Sequence, residues 1–115
     1  MEREEILKHI LPKEFVEYFD LISIDSSVDQ LVFSLDEKNI IPPEHKEKEL
    51  ESKGFIKAIH ITDFPIRDKR VILRVRRRKW RDKKTGNTYT RNWELKAEGT
   101  SYTKEFAAFL KEVLG

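Results

Sequence analysis

The stretch Arg70-Val71-Ile72-Leu73-Arg74-Val75-Arg76-Arg77-Arg78-Lys79-Trp80 decides the fold. Val71, Leu73 and Val75 alternate with Ile72, Arg74, Arg76, Arg78 and Trp80, the period-two pattern of a strand with two distinct faces. Asp82-Lys83-Lys84-Thr85-Gly86 follows as a turn, with Gly86 free to take positive φ. The return strand Asn87–Leu95 sets Tyr89, Arg91, Trp93 and Leu95 on one face. The expectation is a long basic β-hairpin across residues 70–95.

Upstream, Leu21–Asp25 and Gln30–Leu35 read as a second hairpin joined by Ser26-Ser27-Val28-Asp29. Phe55–Thr62 reads as a further strand, and residues 36–54, interrupted by Pro42-Pro43, as a loop closed by Gly54. Helices are expected at both ends. Glu2–Leu11 carries Ile6, Leu7, Ile10 and Leu11 at helical spacing, and Pro12 separates it from a shorter helical stretch bearing Phe15, Val16 and Phe19. Near the C-terminus, Ser101 or Thr103 can cap a helix to Leu114 whose stripe is Phe106, Phe109, Leu110, Val113 and Leu114. The fold class is therefore α+β: an antiparallel sheet with the basic hairpin, flanked by helices that cover one sheet face. Its 115 residues read as a single domain, with an acidic helix/hairpin half (1–54) and a half made of the basic ribbon and final helix (55–115).

Charge separates the parts. Residues 1–66 have a net charge of −7, residues 67–91 a net charge of +10, and the whole chain only +2. Between Arg67 and Arg91 stand twelve Lys or Arg and two acids, Asp68 and Asp82. Such a ribbon points to a polyanion, above all nucleic acid. The acidic half has two readings, self-neutralisation against the ribbon or a guard against indiscriminate anion binding. Arg74, Arg76 and Arg78 alternate along one strand at roughly 6.5–7 Å spacing, the scale of successive phosphates. Lys79, Arg81, Lys83, Lys84 and Arg91 extend that row to the turn and the return strand. Trp80, Tyr89 and Trp93 offer faces for base stacking, though aromatics on a sheet more often belong to a core.

Other chemistry has little support. The chain has no cysteine, which excludes disulfides and thiolate metal sites. His9, His45 and His60 lack metal-ligand spacing. Glu51-Ser52-Lys53 and Glu94-Leu95-Lys96 have the Glu-x-Lys form of metal-dependent nucleases, without a companion Asp, and such tripeptides are common in a charged chain. No glycine-rich phosphate loop or nucleophile elbow is present. No catalytic residue, metal or cofactor is expected on this chain. No apolar run approaches the roughly 20 residues of a membrane span, and the acidic N-terminus is unlike a secretory signal, so a cytoplasmic protein is expected.

Ile61-Thr62-Asp63-Phe64-Pro65-Ile66, then Val71-Ile72-Leu73-Arg74-Val75 and Arg78-Lys79-Trp80-Arg81, resemble the N-terminal region of bacterial insertion-sequence transposases. In that family an Asp-apolar-Pro-apolar corner leads into a basic strand and a zinc-ribbon-like Cys-x-x-Cys-Gly knuckle, ahead of a helix-turn-helix. Here Asp82 and Thr85 stand where the cysteines would be, while Gly86 and Tyr89 are kept. The chain is more similar still to a cysteine-free branch of that family, encoded as a short separate chain. Leu11-Pro12, Glu17-Tyr18-Phe19-Asp20, Leu50-Glu51-Ser52-Lys53-Gly54-Phe55, Asp63-Phe64-Pro65-Ile66-Arg67 and the run Thr103–Glu112 carry that likeness over nearly the whole chain.

The resemblance implies a DNA-binding accessory region for transposition, acting on transposon ends, with the catalytic acidic triad on a partner transposase chain. The Thr103–Leu114 helix corresponds to the one that opens the helix-turn-helix. As the chain stops after it, backbone contact is expected here, with specificity supplied by the partner. Two alternatives follow from the residues themselves: a module docking the catalytic chain through the ribbon or final helix, and an RNA-binding protein that stacks bases on Trp80 or Tyr89.

Overall fold

Alternating apolar residues build two sheets, not one. The computed structural model describes residues 8–114. Residues 8–10 are helical; the rest of the helix expected over Glu2–Leu11 lies outside the described residues, apart from Leu11, which is buried. After the extended Pro12, α1 (Lys13–Tyr18) buries Phe15 and runs directly into β1 (Phe19–Ser26). β1 and β2 (Gln30–Glu37) form the expected hairpin, with a bulge between Leu21 and Ser23. β4 (Ile59–Ile66) and β5 (Lys69–Arg76) form another, turning through Arg67 at φ 58. The two hairpins join through β2 and β5, which run parallel from Gln30↔Arg70 to Asp36↔Arg76. The resulting order is β1-β2-β5-β4.

A parallel pair needs a long crossover between its strands, and this one contains structure of its own. It includes a 3₁₀ turn at Pro43–His45 and β3 (Leu50–Phe55), which pairs with β6 (Arg78–Asp82). β6 pairs in turn with β7 (Thr88–Thr90), giving a second sheet of order β3-β6-β7.

The α+β class with flanking helices thus holds, with three differences in layout. First, the strand expected over Phe55–Thr62 is divided. Its start belongs to β3 and its end to β4, with residues 56–58 crossing between the sheets. The loop expected over 36–54 contains most of β3, whose Glu51 and Lys53 give it the charged character of an edge strand. Second, the basic strand changes sheets at Arg77, whose carbonyl accepts a hydrogen bond from Ile56 N–H at 2.9 Å. Both crossings therefore occur at one place. Third, the return strand pairs over only Thr88–Thr90. Residues 91–95 leave the second sheet because Trp93 and Leu95 pack into the main core instead.

That core lies on one face of the four-stranded sheet. Phe33, Leu35, Val71, Leu73, Val75 and Ile61 meet Leu11, Phe15, Phe19 and Leu95 there. Trp80 is fully buried outside this cluster, on the inner face of the second sheet, and its indole N–H donates to Asn39 Oδ1 at 2.8 Å. The second helix, α2 (Lys104–Leu114), is capped by Thr103, whose hydroxyl accepts from Phe106 N–H and donates to the buried Asp63 at 2.8 Å. Its stripe does not cover a sheet face: α2 sits at the β4 edge, where Phe64 meets Phe106 and Phe109, and no α2 residue is buried. The segment before it is fixed to that edge by Thr62 N–H to Ser101 O (2.7 Å) and Thr103 N–H to Thr62 O (2.9 Å). No helix among the described residues is long and apolar enough to cross a membrane.

The second sheet depends on Trp80 for its interior. Trp80→Ala should lower the unfolding free energy by about 3–5 kcal/mol. Trp80→Phe, which removes only the bond to Asn39 and part of the ring, should cost about 1–2 kcal/mol. Urea denaturation followed by circular dichroism measures both.

Candidate nucleic-acid interface

The cations of the basic stretch fall into two groups according to what they touch. Arg76 forms a bidentate ion pair with Asp36, Nε to Oδ1 at 2.7 Å, and its guanidinium lies 4.3 Å from the Phe55 ring centre. Arg78 approaches the same ring at 4.6 Å, donates through Nε to the Glu37 carbonyl at 3.0 Å, and reaches Ser52 Oγ. Arg91 lies over Tyr18 and Trp93, 4.6 and 4.7 Å from the ring centres. These three side chains are used in holding the two sheets and the 91–95 segment together. Arg76 shares the open face of β5 with Arg74, but Arg78 and Arg91 do not continue that row, because the change of sheet at Arg77 breaks the alternation between Arg76 and Arg78. Here the acidic half of the sequence does neutralise part of the ribbon.

The aromatic residues are occupied as well. Burial takes Trp80 off the surface, so it has no face to offer a base. Tyr89 packs against His45, centroids 4.6 Å apart, with Lys48 Nζ 5.2 Å from its ring centre. Trp93 packs between Tyr18 and Phe19.

The second group faces outward. In the β6–β7 hairpin Lys79 lies opposite Thr90 and Arg81 opposite Thr88, all on the face turned away from Trp80. Arg81, Thr88 and Thr90 are exposed and Lys79 is half-buried. On the neighbouring strand Glu51 lies opposite Arg81 and pairs with Lys53 at 3.3 Å. The hairpin tip carries Lys83 and Lys84, both exposed. Lys84 approaches Glu49 at 3.6 Å with both side chains largely in solvent, an ion pair of little energetic weight. Arg74 is also exposed, but on the open face of the first sheet, beside His60.

The tip is fixed by hydrogen bonds. The buried Asp82 carboxylate accepts Lys84 N–H at 2.8 Å, its carbonyl accepts Gly86 N–H, and its own N–H donates to Asn87 O. Thr85 Oγ1 accepts Asn87 N–H at 3.2 Å. Gly86 takes φ +78, and a Cβ there would stand 3.5 Å from the Arg81 guanidinium. Asp82 and Thr85 thus close this turn by hydrogen bonding.

The histidines stay apart: His45 contacts Lys48 and Tyr89, His60 lies on β4, and His9 is exposed near the first described residues. Glu94 pairs with Lys104 at 3.3 Å. Among the described residues no three of His, Cys, Asp or Glu group as a metal site. No family model, curated protein or solved structure matches the chain.

Glu37 is the buried acid behind this interface and went unnoticed in the sequence, where Asp36-Glu37-Lys38 resembles a solvated turn. Its carboxylate accepts Arg78 N–H at 2.9 Å. The indole N–H of Trp93 is directed at it, too far off geometry for a full hydrogen bond. Burial raises the Glu37 pKa, and the Arg78 N–H, Trp93, Arg91 and Arg78 oppose that rise only in part. Asp63 is raised by burial too, against hydrogen bonds from Thr103 and Phe64, and Glu105 by burial together with the charges of Glu14 and Asp63.

Relative to the unfolded chain, the fold shifts each of these groups toward its protonated form. Their contribution to stability is therefore fully present below the unfolded-state pKa and is lost as pH rises through the raised folded value. For Asp63 that loss begins above the ordinary value of 3.8. Asp63→Asn should flatten this part of the pH dependence and raise stability at neutral pH relative to the native chain. Urea titrations in acid and at neutral pH measure the difference.

Proposed function

We propose that this chain is a DNA-binding accessory region of an insertion-sequence transposition system, acting in the cytoplasm with a catalytic transposase chain. It contacts the duplex backbone through the outer face and tip of the β6–β7 hairpin. Lys79, Arg81, Lys83 and Lys84 supply charge, while Thr88 and Thr90 offer hydroxyl donors beside Arg81 and Lys79. The observation that carries the reading is that Lys79, Arg81 and Lys83 have no ion pair among the described residues and share a hairpin narrow enough for a groove. The transposition context comes from the sequence resemblance. Duplex is favoured over single strands because Trp80, Tyr89 and Trp93 are occupied within the fold, leaving the basic surface without a stacking platform.

Such binding is dominated by counterion release, so affinity for a labelled duplex should fall steeply with salt. Replacing Lys79, Arg81, Lys83 and Lys84 together by alanine should reduce the log–log salt slope by about 3–4. Arg76→Ala should leave the slope nearly unchanged. Fluorescence anisotropy across a salt series measures both. Retention of the native slope by the fourfold variant, or a preference for single strands, would overturn the reading.

A second reading, docking to the catalytic chain, is supported by α2, where Phe109, Val113 and Leu114 are 47%, 61% and 80% exposed. Co-purification with that chain from nuclease-treated extract, abolished by Val113→Asp, would favour it over DNA contact.

A further inference from the structure

Resting on the duplex contact proposed above, we infer that Arg77 holds a backbone phosphate at the junction of the two sheets. The duplex then lies lengthwise along β6, from the hairpin tip to the junction. Four arginines of the basic stretch are half-buried: Arg76, Arg77, Arg78 and Arg91. Three of them have their charge taken up within the fold. Arg76 pairs with Asp36, Arg78 donates to Glu37 and Ser52, and Arg91 lies over two aromatic rings. Arg77 has no acceptor, ion pair or ring among the described residues, and its Nε is closed off from solvent.

Such an atom is uncommon, because folded proteins pair nearly all their buried polar groups. The buried acid of the junction is engaged elsewhere: Glu37 takes Arg78 N–H, and its carboxylate is held by the charges of Arg91 and Arg78. An acceptor for Arg77 has a definite shape. Nε and one terminal nitrogen form the edge of a guanidinium that meets two oxygens of a single oxyanion side by side. The terminal nitrogens of Arg77 are open to solvent, so an anion can approach that end. A small turn of the side chain then brings Nε into the contact.

The surroundings suit an anion. The chain crosses between sheets beside Arg77, where Ile56 N–H donates to its carbonyl at 2.9 Å. The next residue, Lys57, is exposed and has no ion pair among the described residues. In the other direction, Lys79 follows Arg77 by two residues and Arg81 by four, at roughly 6.5–7 Å per step of strand. Burial of Trp80 fixes that phase, with Lys79 and Arg81 on the outer face of the hairpin. The cationic row thus falls on residues 77, 79 and 81, in place of 74, 76 and 78. Arg77 and Arg81 stand roughly 13 Å apart along the strand, a span that a duplex meets only by running beside it. A protein carboxylate would fill the Arg77 edge equally well, but it would use one member of the row. A repeating phosphate uses all three.

Arginine side-chain NMR on the full chain tests this. The Nε–H signal of Arg77 should shift on titration with duplex DNA. It should scarcely move with inorganic phosphate at the same phosphate concentration, because the free ion does not engage the row. In anisotropy measurements, Arg77→Ala should lower the log–log salt slope by about 1. Arg77→Lys keeps the charge, and so the slope, but loses the two-pronged edge; it should weaken binding roughly 3- to 10-fold. Circular dichroism checks that both variants fold, and the NMR titration needs neither. An Arg77 signal that duplex leaves unmoved, or that inorganic phosphate or poly-glutamate moves as far, would overturn the inference. So would a native slope in folded Arg77→Ala, or native affinity in Arg77→Lys. If the fourfold hairpin variant still loses its slope in those cases, the duplex reading stands and only the lengthwise placement falls. A native chain that binds no duplex would overturn both.

Discussion

Glu37 ends the last strand of one hairpin and holds the chain at the point where it changes sheets. Its carboxylate takes Arg78 N–H and its carbonyl takes the Arg78 guanidinium, so one residue fixes both backbone and side chain just past the crossing. Removing a carboxylate of this kind would leave a buried donor unsatisfied, at about 1–3 kcal/mol. The nearby Ile56–Arg77 bond ties the other crossing strand to the same point. The relative placement of the two sheets, and so the direction in which the basic hairpin projects, follows from this small set of contacts. The cost is a carboxylate held in a largely dry site and kept tolerable by Arg78, Trp93 and Arg91. Three features of the basic stretch are thereby bound to an acid of the opposite half of the chain.

This explains why charge density alone overstates the free cationic surface. The twelve cations between Arg67 and Arg91 suggest one continuous polyanion track. In the fold Arg76 neutralises Asp36, Arg78 spans Glu37, Ser52 and Phe55, and Arg91 covers two aromatic rings. The Arg76–Asp36 pair is partly exposed but bidentate, and a guanidinium over an aromatic ring is held by the ring's quadrupole. A phosphate would have to compete with both. The cationic surface left exposed is smaller, lies toward the end of the hairpin, and is framed by threonines in place of aromatic residues.

The sequence made local features legible and left pairing hidden. Val71, Leu73 and Val75 declare the buried face of β5, and Thr103 caps its helix by the expected hydrogen bond. Trp80, offered as a stacking face, is instead fully buried, as aromatics on a sheet more often are. The parallel pairing of β2 with β5 has no such local sign, since two apolar strands of this length suit antiparallel neighbours equally well. β3 was hidden because Leu50-Glu51-Ser52-Lys53-Gly54-Phe55 alternates charge with small polar residues, and its inner face is supplied by tertiary contacts. β7 is short because Trp93 and Leu95, which fit the pattern of a return strand, pack against the main core instead. Of the nine residues that the sequence offers for the interface, Lys79, Arg81, Lys83 and Lys84 face outward together on the hairpin. Arg74 is exposed elsewhere, and the remaining four serve the fold.

The hairpin tip carries this reasoning one step further. A tight turn ending a short ribbon is normally weak, because three paired residues cannot hold two strands in register. A metal knuckle is one solution, and this chain has no cysteine with which to build it. Asp82 provides another: from a buried position it closes the turn with its carboxylate, its carbonyl and its N–H, while Thr85 secures the return. Both lysines of the tip are carried on backbone that these bonds order, so little further backbone entropy is lost when they meet a ligand. The arrangement also keeps the tip's buried carboxylate turned to the backbone, where it accepts the Lys84 N–H. Asp82 and Thr85 therefore order the turn without a metal and leave its outer surface cationic.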